Sequence, residues 1–348
     1  MSHRNFVVSG CVSAALTMGV SSPAGAQFYT QHNLVSDGGV PADHVDADLV
    51  NPWGLAASST SPWWVSDNGT GKSTLYNGNT GAKQALVVSV PGAPTGMVFS
   101  GVSFPPYRFI FASEDGTISA WGPANGTQAM VKVDNSASGA VYKGLAIGHT
   151  TAGDFLYATN FHAGTVDVFD QTFAAVSGAG IVDPAIPAGY APFGIQNLGS
   201  LIYVTYALQD ADAHDDVPGV GHGYVDAFDA AGNLLHRVAS KGPLNSPWGL
   251  ALAPVDFGEF SGDLLVGNFG DGRIHAYDPR LNGRGEFQQR GPLHSAEGPP
   301  IEIAGLWGLA FGNGANAGPT TTLFFTAGPF DEQHGLFGTL VVASPPSQ

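Results

Sequence analysis

The chain reads as an all-β protein, a single six-bladed β-propeller built from four-stranded blades. Three observations predict this: an opening of Gly plus an apolar residue that recurs along the chain, a β-rich hairpin after each opening, and a composition heavy in glycine and aromatics but light in charge. The openings lie at Gly54, Gly96, Gly144, Gly194, Gly249 and Gly308. Their separations, roughly 40 to 60 residues, match the length of one four-stranded blade. Only 11% of residues are charged, against about 25% in ordinary soluble domains. The 49 glycines are about twice the usual share of roughly 7%, as many short strands joined by tight turns require.

The N-terminal segment reads as a leader. Arg4 lies in a polar start, Phe6 to Val20 is apolar, and Ala24-Gly25-Ala26 supplies small residues at a signal-peptidase site. Residues 1–26 are therefore expected to be a signal peptide cleaved after Ala26, giving a secreted or periplasmic product. Val8-Ser9-Gly10-Cys11 looks like a lipoprotein box, but its apolar run follows the cysteine instead of preceding it. Cys11 is the one cysteine, so the mature chain has no disulfide and no thiolate ligand. No later stretch reaches the roughly 20 apolar residues that span a bilayer. The 12 Lys and Arg against 28 Asp and Glu give a net charge of -16, which argues against nucleic acid as a partner.

Residues 27–342 form the expected propeller, because no Pro-rich, Ser-rich or charged linker interrupts the repeat. Within each unit a second run ends in a polar turn and a third follows at once, as in Leu156 to Asn160 and Thr165 to Asp170, where Val166 and Val168 share one face. Comparable hairpins occupy Trp64 to Tyr76, Ile110 to Trp121, Tyr203 to Phe228, Leu265 to Tyr277 and Leu323 to Leu340. The fourth unit holds the longest turn, Ala207 to Gly223. Phe28 to Val35, before the first opening, is placed to complete the last blade beside Gly335 to Val342 and so hide the sheet edges. Residues 343–348 are expected to be a short disordered tail.

Loops that lead into the inner strands and turns between second and third strands gather on one face of a propeller, where function commonly collects. The residues before the six glycines are Trp53, Thr95, Lys143, Phe193, Trp248 and Trp307. Around them fall turns carrying Asp67, Asn68, Glu114, Asp115, Asn160, His162, Asn268, Asp271, Asp331, Glu332 and His334. Two readings are open: an aromatic floor with polar walls that stacks a flat ligand, with Lys143 free for an anionic group, or an aromatic plug beneath turns that meet only water. On the first, the ligand-binding set is Trp53, Asp67, Asn68, Asp115, Lys143, Asn160, His162, Phe193, Trp248, Asn268 and Trp307.

The turn Asp210-Ala211-Asp212-Ala213-His214-Asp215-Asp216 places a ligand type at every second position, like the first half of a calcium loop. It lacks the sixth-position Gly, which is Asp215, and the twelfth-position Glu, which is Gly221. The candidate metal ligands are Asp210, Asp212, His214 and Asp216, for calcium or another divalent metal, with His162, His222 and His334 as further imidazoles. Gly69-Thr70-Gly71-Lys72-Ser73 ends like a phosphate loop, but Ser66 stands where its first Gly belongs. Neither a serine-hydrolase elbow nor a zincin pair occurs.

The motifs Asn51 to Ala56, Asn160 to Asp170, Asp210 to Asp216 with its flanks, Ser246 to Ala251, Gly267 to Gly272 and Leu306 to Ala310 resemble those of NHL-type propellers. More closely, the chain is similar to a family of exported bacterial propellers of unassigned activity that often end in a PEP-CTERM sorting tail. Here the chain instead ends Ser344-Pro345-Pro346-Ser347-Gln348. The gluconolactonase and paraoxonase group is a more distant resemblance, which implies calcium held by Asn or Asp ahead of the inner-strand glycines. None of the six residues at those positions is a carboxylate, so that site is not carried over. The function expected is a monomeric binding or interaction propeller for a small molecule, glycan or protein. The alternative is a metal-dependent enzyme, a hydrolase or lactonase-like protein, with His162 or His334 as acid–base partner.

Overall fold

The computed structural model describes residues 28–343, apart from 179 and 297. The leader and cleavage site read from the sequence, and residues 344–348, lie outside the described residues. Six sheets follow one another around an axis, each entered at its inner strand: Pro52–Ala56, Pro94–Phe99, Tyr142–Thr150, Tyr190–Leu198, Pro247–Leu252 and Leu306–Phe311. We number the blades one to six in that order. Each runs outward antiparallel through its hairpin, in blade four through Leu201–Leu208, Tyr224–Phe228 and Leu234–Ser240. In blade three the fourth strand shrinks to a single bridge between Phe169 and Ala175, so that sheet has three strands. Among the described residues no helix is long and apolar enough to cross a membrane.

The ring closes as the sequence predicts. Tyr29–Ser36 pairs antiparallel with Leu336–Val342, from Tyr29 opposite Val342 to Ser36 opposite Leu336. The Ala343 amide donates to the Phe28 carbonyl, extending the pairing by one step. A short strand, His44–Val45, then runs parallel to the end of Tyr29–Ser36 and covers that edge. Tyr29 anchors the closure: its ring is buried beside Phe257 and Phe260 of blade five, and its hydroxyl donates to the Phe257 carbonyl at 3.1 Å.

The inner strands share one irregularity at a fixed place. In all six the pairing with the second strand slips at the opening glycine, as between Pro52 and Leu55 or Pro247 and Leu250. Such a bulge adds a residue to one strand and turns a side chain out of the pleat. Here the residue before each glycine turns toward the axis while the glycine meets the next blade. A Cβ on Gly54 would lie 2.7 Å from the Thr95 carbonyl oxygen, on Gly96 2.6 Å from Gly144, and on Gly194 2.2 Å from the Trp248 oxygen. On Gly249 it would lie 2.2 Å from the Trp307 oxygen, and on Gly308 2.7 Å from that of Trp53, which completes the circle. Hydroxyls reinforce these joints: Thr159 donates to the Phe193 carbonyl at 2.7 Å and Thr326 to that of Trp53 at 2.5 Å.

Replacing Gly249 with Ala forces a methyl into backbone that has no room to yield. The expected loss is more than about 3 kcal/mol in denaturant unfolding. Gly283→Ala, at an exposed turn with nothing within 4 Å of the new methyl, should stay within about 0.5 kcal/mol of the parent.

Candidate functional site

The bulges deliver the pre-glycine aromatics to the axis, where they meet one another. Trp53 and Trp307 stack with ring centres 3.4 Å apart, Trp248 stands edge-on to both at 5.8 Å, and Phe193 abuts Trp307 at 6.0 Å. Phe269 stacks on the other face of Trp307 at 4.0 Å, and Phe161 touches Phe193. Trp53, Phe193 and Trp307 are at most 2% exposed and Trp248 is 8% exposed. The geometry is therefore that of the plug: Trp53, Phe193 and Trp307 are sealed off, and Trp248 alone of the four keeps some exposure. Two indole N–H groups are satisfied within the site: Trp307 donates to Asn51 Oδ1 at 3.0 Å and Trp248 to the Lys143 carbonyl at 3.1 Å.

Above the plug a polar network runs from blade to blade. Asn51 Nδ2 donates to Glu332 Oε2 at 2.5 Å and to Asn68 Oδ1 at 3.3 Å. Asn68 Nδ2 donates to Glu114 Oε2 at 2.7 Å. Lys143 then joins Glu114 Oε1 at 2.5 Å to Asp215 Oδ1 at 3.0 Å, and His214 Nδ1 lies 3.0 Å from that same Asp215 oxygen. Blades one, two, three, four and six all contribute.

Lys143 is only 1% exposed, with its ammonium 5.2 Å from the centre of the Trp53 ring. Burial works to strip its proton, but the carboxylates of Glu114 and Asp215 outweigh burial and hold it charged, above its ordinary value. The expectation that Lys143 stands free for an anionic ligand is thus corrected: its charge is spent on two carboxylates inside the protein. The same contact outweighs partial desolvation at Asp215, whose side chain still reaches the surface, and keeps that carboxyl below its ordinary value. Burial raises Glu332, and the charge of Glu114 adds to the effect; burial also raises Asp216, whose Oδ2 has no hydrogen-bond partner among the described residues.

Backbone strain fixes part of this rim. Phe330, Asp331 and Glu332 take consecutive left-handed conformations, with φ of 57°, 53° and 64°, and Asn51 and Ser246 do so immediately before proline. Side chains rarely adopt this region, so surrounding contacts must hold it. At Asn51 those contacts are Trp307, Asn68 and Glu332.

The remaining sequence candidates divide by location. Asp67 is fully buried inside blade one, where it accepts from the Thr74 amide at 3.0 Å; burial raises its carboxyl well above the ordinary range. Asn160 and Asn268 are buried fasteners of their own turns, bonded to Asp167 and Asp271 among others. Asp115 is exposed and caps its turn through Thr117. Thr95 ties blade two to blade three through the Tyr142 carbonyl. His162 is exposed on its turn, and His334 pairs with Asp37 at 2.8 Å.

The four candidate metal ligands do not gather as one group. Asp210 caps its own turn by accepting the His214 amide at 2.9 Å, and Asp212 faces solvent. The ligand-type atoms that converge, within 4.8 Å of one another, belong to Glu114, His214 and Asp215. Asn51 is a site residue that the sequence reading passed over. Its signal was available, because Asn51 to Ala56 and Ser246 to Ala251 differ only in their first residue.

No family profile matches the chain. An uncharacterised protein of Acanthamoeba polyphaga mimivirus is 33% identical over 329 residues, covering 88% of this chain and 78% of its own. A second uncharacterised protein of that virus is 33% identical over 333 residues, 88% of this chain and 84% of its own. Among solved structures, virginiamycin B lyase from Staphylococcus aureus aligns with a TM-score of 0.52 at 12% identity, over 91% of this chain and 100% of that one. A glucose dehydrogenase aligns at 0.53 and 15% identity, over 90% of this chain and 100% of that one. These structural likenesses are of fold alone. The relatives are viral, so the resemblance to exported bacterial propellers rests on the sequence motifs.

If Lys143 is the internal counter-ion of this network, Lys143→Met strands the half-buried Glu114 carboxylate. It should destabilise the protein by about 2 to 4 kcal/mol in denaturant unfolding. Adding Glu114→Gln should recover more than half of that loss. Equal stability of Lys143→Met and the parent would show that the network carries no net energy.

Proposed function

The chain belongs to one family with these two mimivirus proteins, and for it we propose a binding function: an extracytoplasmic propeller whose turn face receives a ligand bearing an ammonium or guanidinium group. One observation carries this reading. Turns from distant parts of the chain bring Glu114, Asp215, Asp331 and Glu332 to one mouth, while the single cation among them, Lys143, is buried and already paired. The outward-facing charge of that mouth is therefore negative, within a chain of net charge -16, and it draws cations over a Debye length. Asp215, with a side-chain exposure of 63%, and His214, with 47%, supply acceptors at the surface. Export rests on the leader of residues 1–26 and its small residues before position 27. A glycan or a basic protein segment is a larger ligand of the same face.

Spermidine serves as the probe. Titration calorimetry at low ionic strength should show saturable binding that weakens steeply with salt, and Asp215→Asn with Asp331→Asn should weaken it at least ten-fold. Because burial raises the Glu332 and Asp216 carboxyls, each gives up its charge at a higher pH than an ordinary carboxylate does, so affinity should fall on acidification. Absence of binding, or binding indifferent to both substitutions, would overturn the reading.

The convergence of Glu114, His214 and Asp215 favours a second reading, a metal-dependent enzyme of the hydrolase or lactonase type. Lys143 already bonds the Glu114 and Asp215 oxygens that a metal would take, so loading requires that ammonium to withdraw. On this reading Lys143→Ala should raise zinc or calcium affinity, and elemental analysis of the native protein should find stoichiometric metal. Metal-free protein that shows no thermal shift with either ion would remove it.

A further inference from the structure

We propose that the opposite mouth of the central channel is a second binding site, one that takes an uncharged, mainly apolar small molecule. A cavity of about 630 Å³ opens there, within the range of roughly 300 to 1,000 Å³ typical of small-molecule sites. It is lined by the far ends of the inner strands and the loops that lead from them to the second strands. These loops lie at the other end of each inner strand from the acidic turns. Trp248 belongs both to the aromatic plug and to the cavity lining, so the plug is the floor of this cavity.

The repeat explains why the space exists. Two residues after each opening glycine stand Ala56, Val98, Ala146, Gln196, Ala251 and Ala310, all in the lining and four of them alanine. Small side chains at this level leave the channel open, whereas the aromatics three residues earlier on the same strands fill it. The apolar walls come from residues such as Leu55, Met97, Ile147, Ile195 and Leu309.

Chemistry selects the ligand class. The chain has 12 Lys and Arg and 28 Asp and Glu, yet none lines this cavity. The one titratable side chain in the lining, His149, is already paired through Nδ1 with Asp154 at 2.7 Å, so a charged ligand would find no free counter-ion there, and burying an unpaired charge is costly. Asn197 and Asn313 spend their amide N–H groups on the Ile147 carbonyl and on the Ser58 and Ser61 carbonyls. The Gln196 side chain has no hydrogen-bond partner among the described residues, which leaves one amide to orient a neutral polar group.

The test uses two dyes with a shared ring system: N-phenyl-1-naphthylamine, which is neutral, and 8-anilino-1-naphthalenesulfonate, which is anionic. The neutral dye should bind saturably with one site per chain, and the anionic dye at least ten-fold more weakly. Ala310→Trp and Ala56→Trp, which fill the channel from its walls, should each weaken the neutral dye at least ten-fold while the melting temperature stays close to that of the parent. Leu252→Asp, a charge at a position 39% exposed on the rim, should weaken it as well. Asp215→Asn, at the other mouth, should leave dye binding unchanged, so the fate of this site is separable from that of the acidic face. Lack of saturable binding, preference for the anionic dye, or undiminished binding in both tryptophan variants would overturn the proposal.

Discussion

Six backbone contacts without side chains hold the inner strands together, and the rest of the molecule is arranged around them. A Cβ at Gly54, Gly96, Gly144, Gly194, Gly249 or Gly308 would meet the next inner strand at 3.1 Å or less. Only glycine lets strands approach so closely, and close approach at the axis is what closes six sheets into a ring. The bulge beside each glycine has a second effect, because it turns the preceding side chain inward. One local device thus sets both the circumference of the ring and the residues that occupy its centre.

From this follows the division of the channel. Four large rings, Trp53, Phe193, Trp248 and Trp307, fill one level, bury their apolar surface and stack with edge and face contacts worth about 0.5–1.5 kcal/mol per pair beyond area burial. On one side, polar side chains from five blades satisfy one another in a network around Lys143. On the other, small residues leave a cavity lined without Lys, Arg, Asp or Glu. The two ends differ in chemistry because the turns are free to carry Asp and Asn, whereas the inner strands must remain slim and apolar to lie beside their neighbours.

Much of this was legible in the sequence. The six openings fixed the number of blades, and the position of Phe28 to Val35 ahead of the first opening foretold its pairing with the final strand. The inward path of the pre-glycine residues was also readable, though whether they form a floor or a plug was not. That distinction depends on whether Trp53 and Trp307 reach one another across blades separated by most of the chain, which no local pattern encodes. The Lys143 network was hidden for the same reason: Glu114 and Asp215 are each ordinary turn residues until the ring brings them to one ammonium. The calcium-like spacing of Asp210 to Asp216 describes a loop by itself, whereas in the fold Asp210 caps that loop and Asp215 answers to another blade.

The most direct measurement is a pair of distances between spin labels, made on a Cys11→Ser background that leaves no native thiol. Labels at Asp115→Cys and Asp331→Cys report across one mouth, and labels at Ser59→Cys and Asp331→Cys report from one end of the channel to the other. A glycine-closed ring predicts a narrow, single-peaked distribution for both pairs, with the first clearly shorter. Broad distributions, or a first pair as far apart as the second, would mean that the distant turns do not share an axial opening.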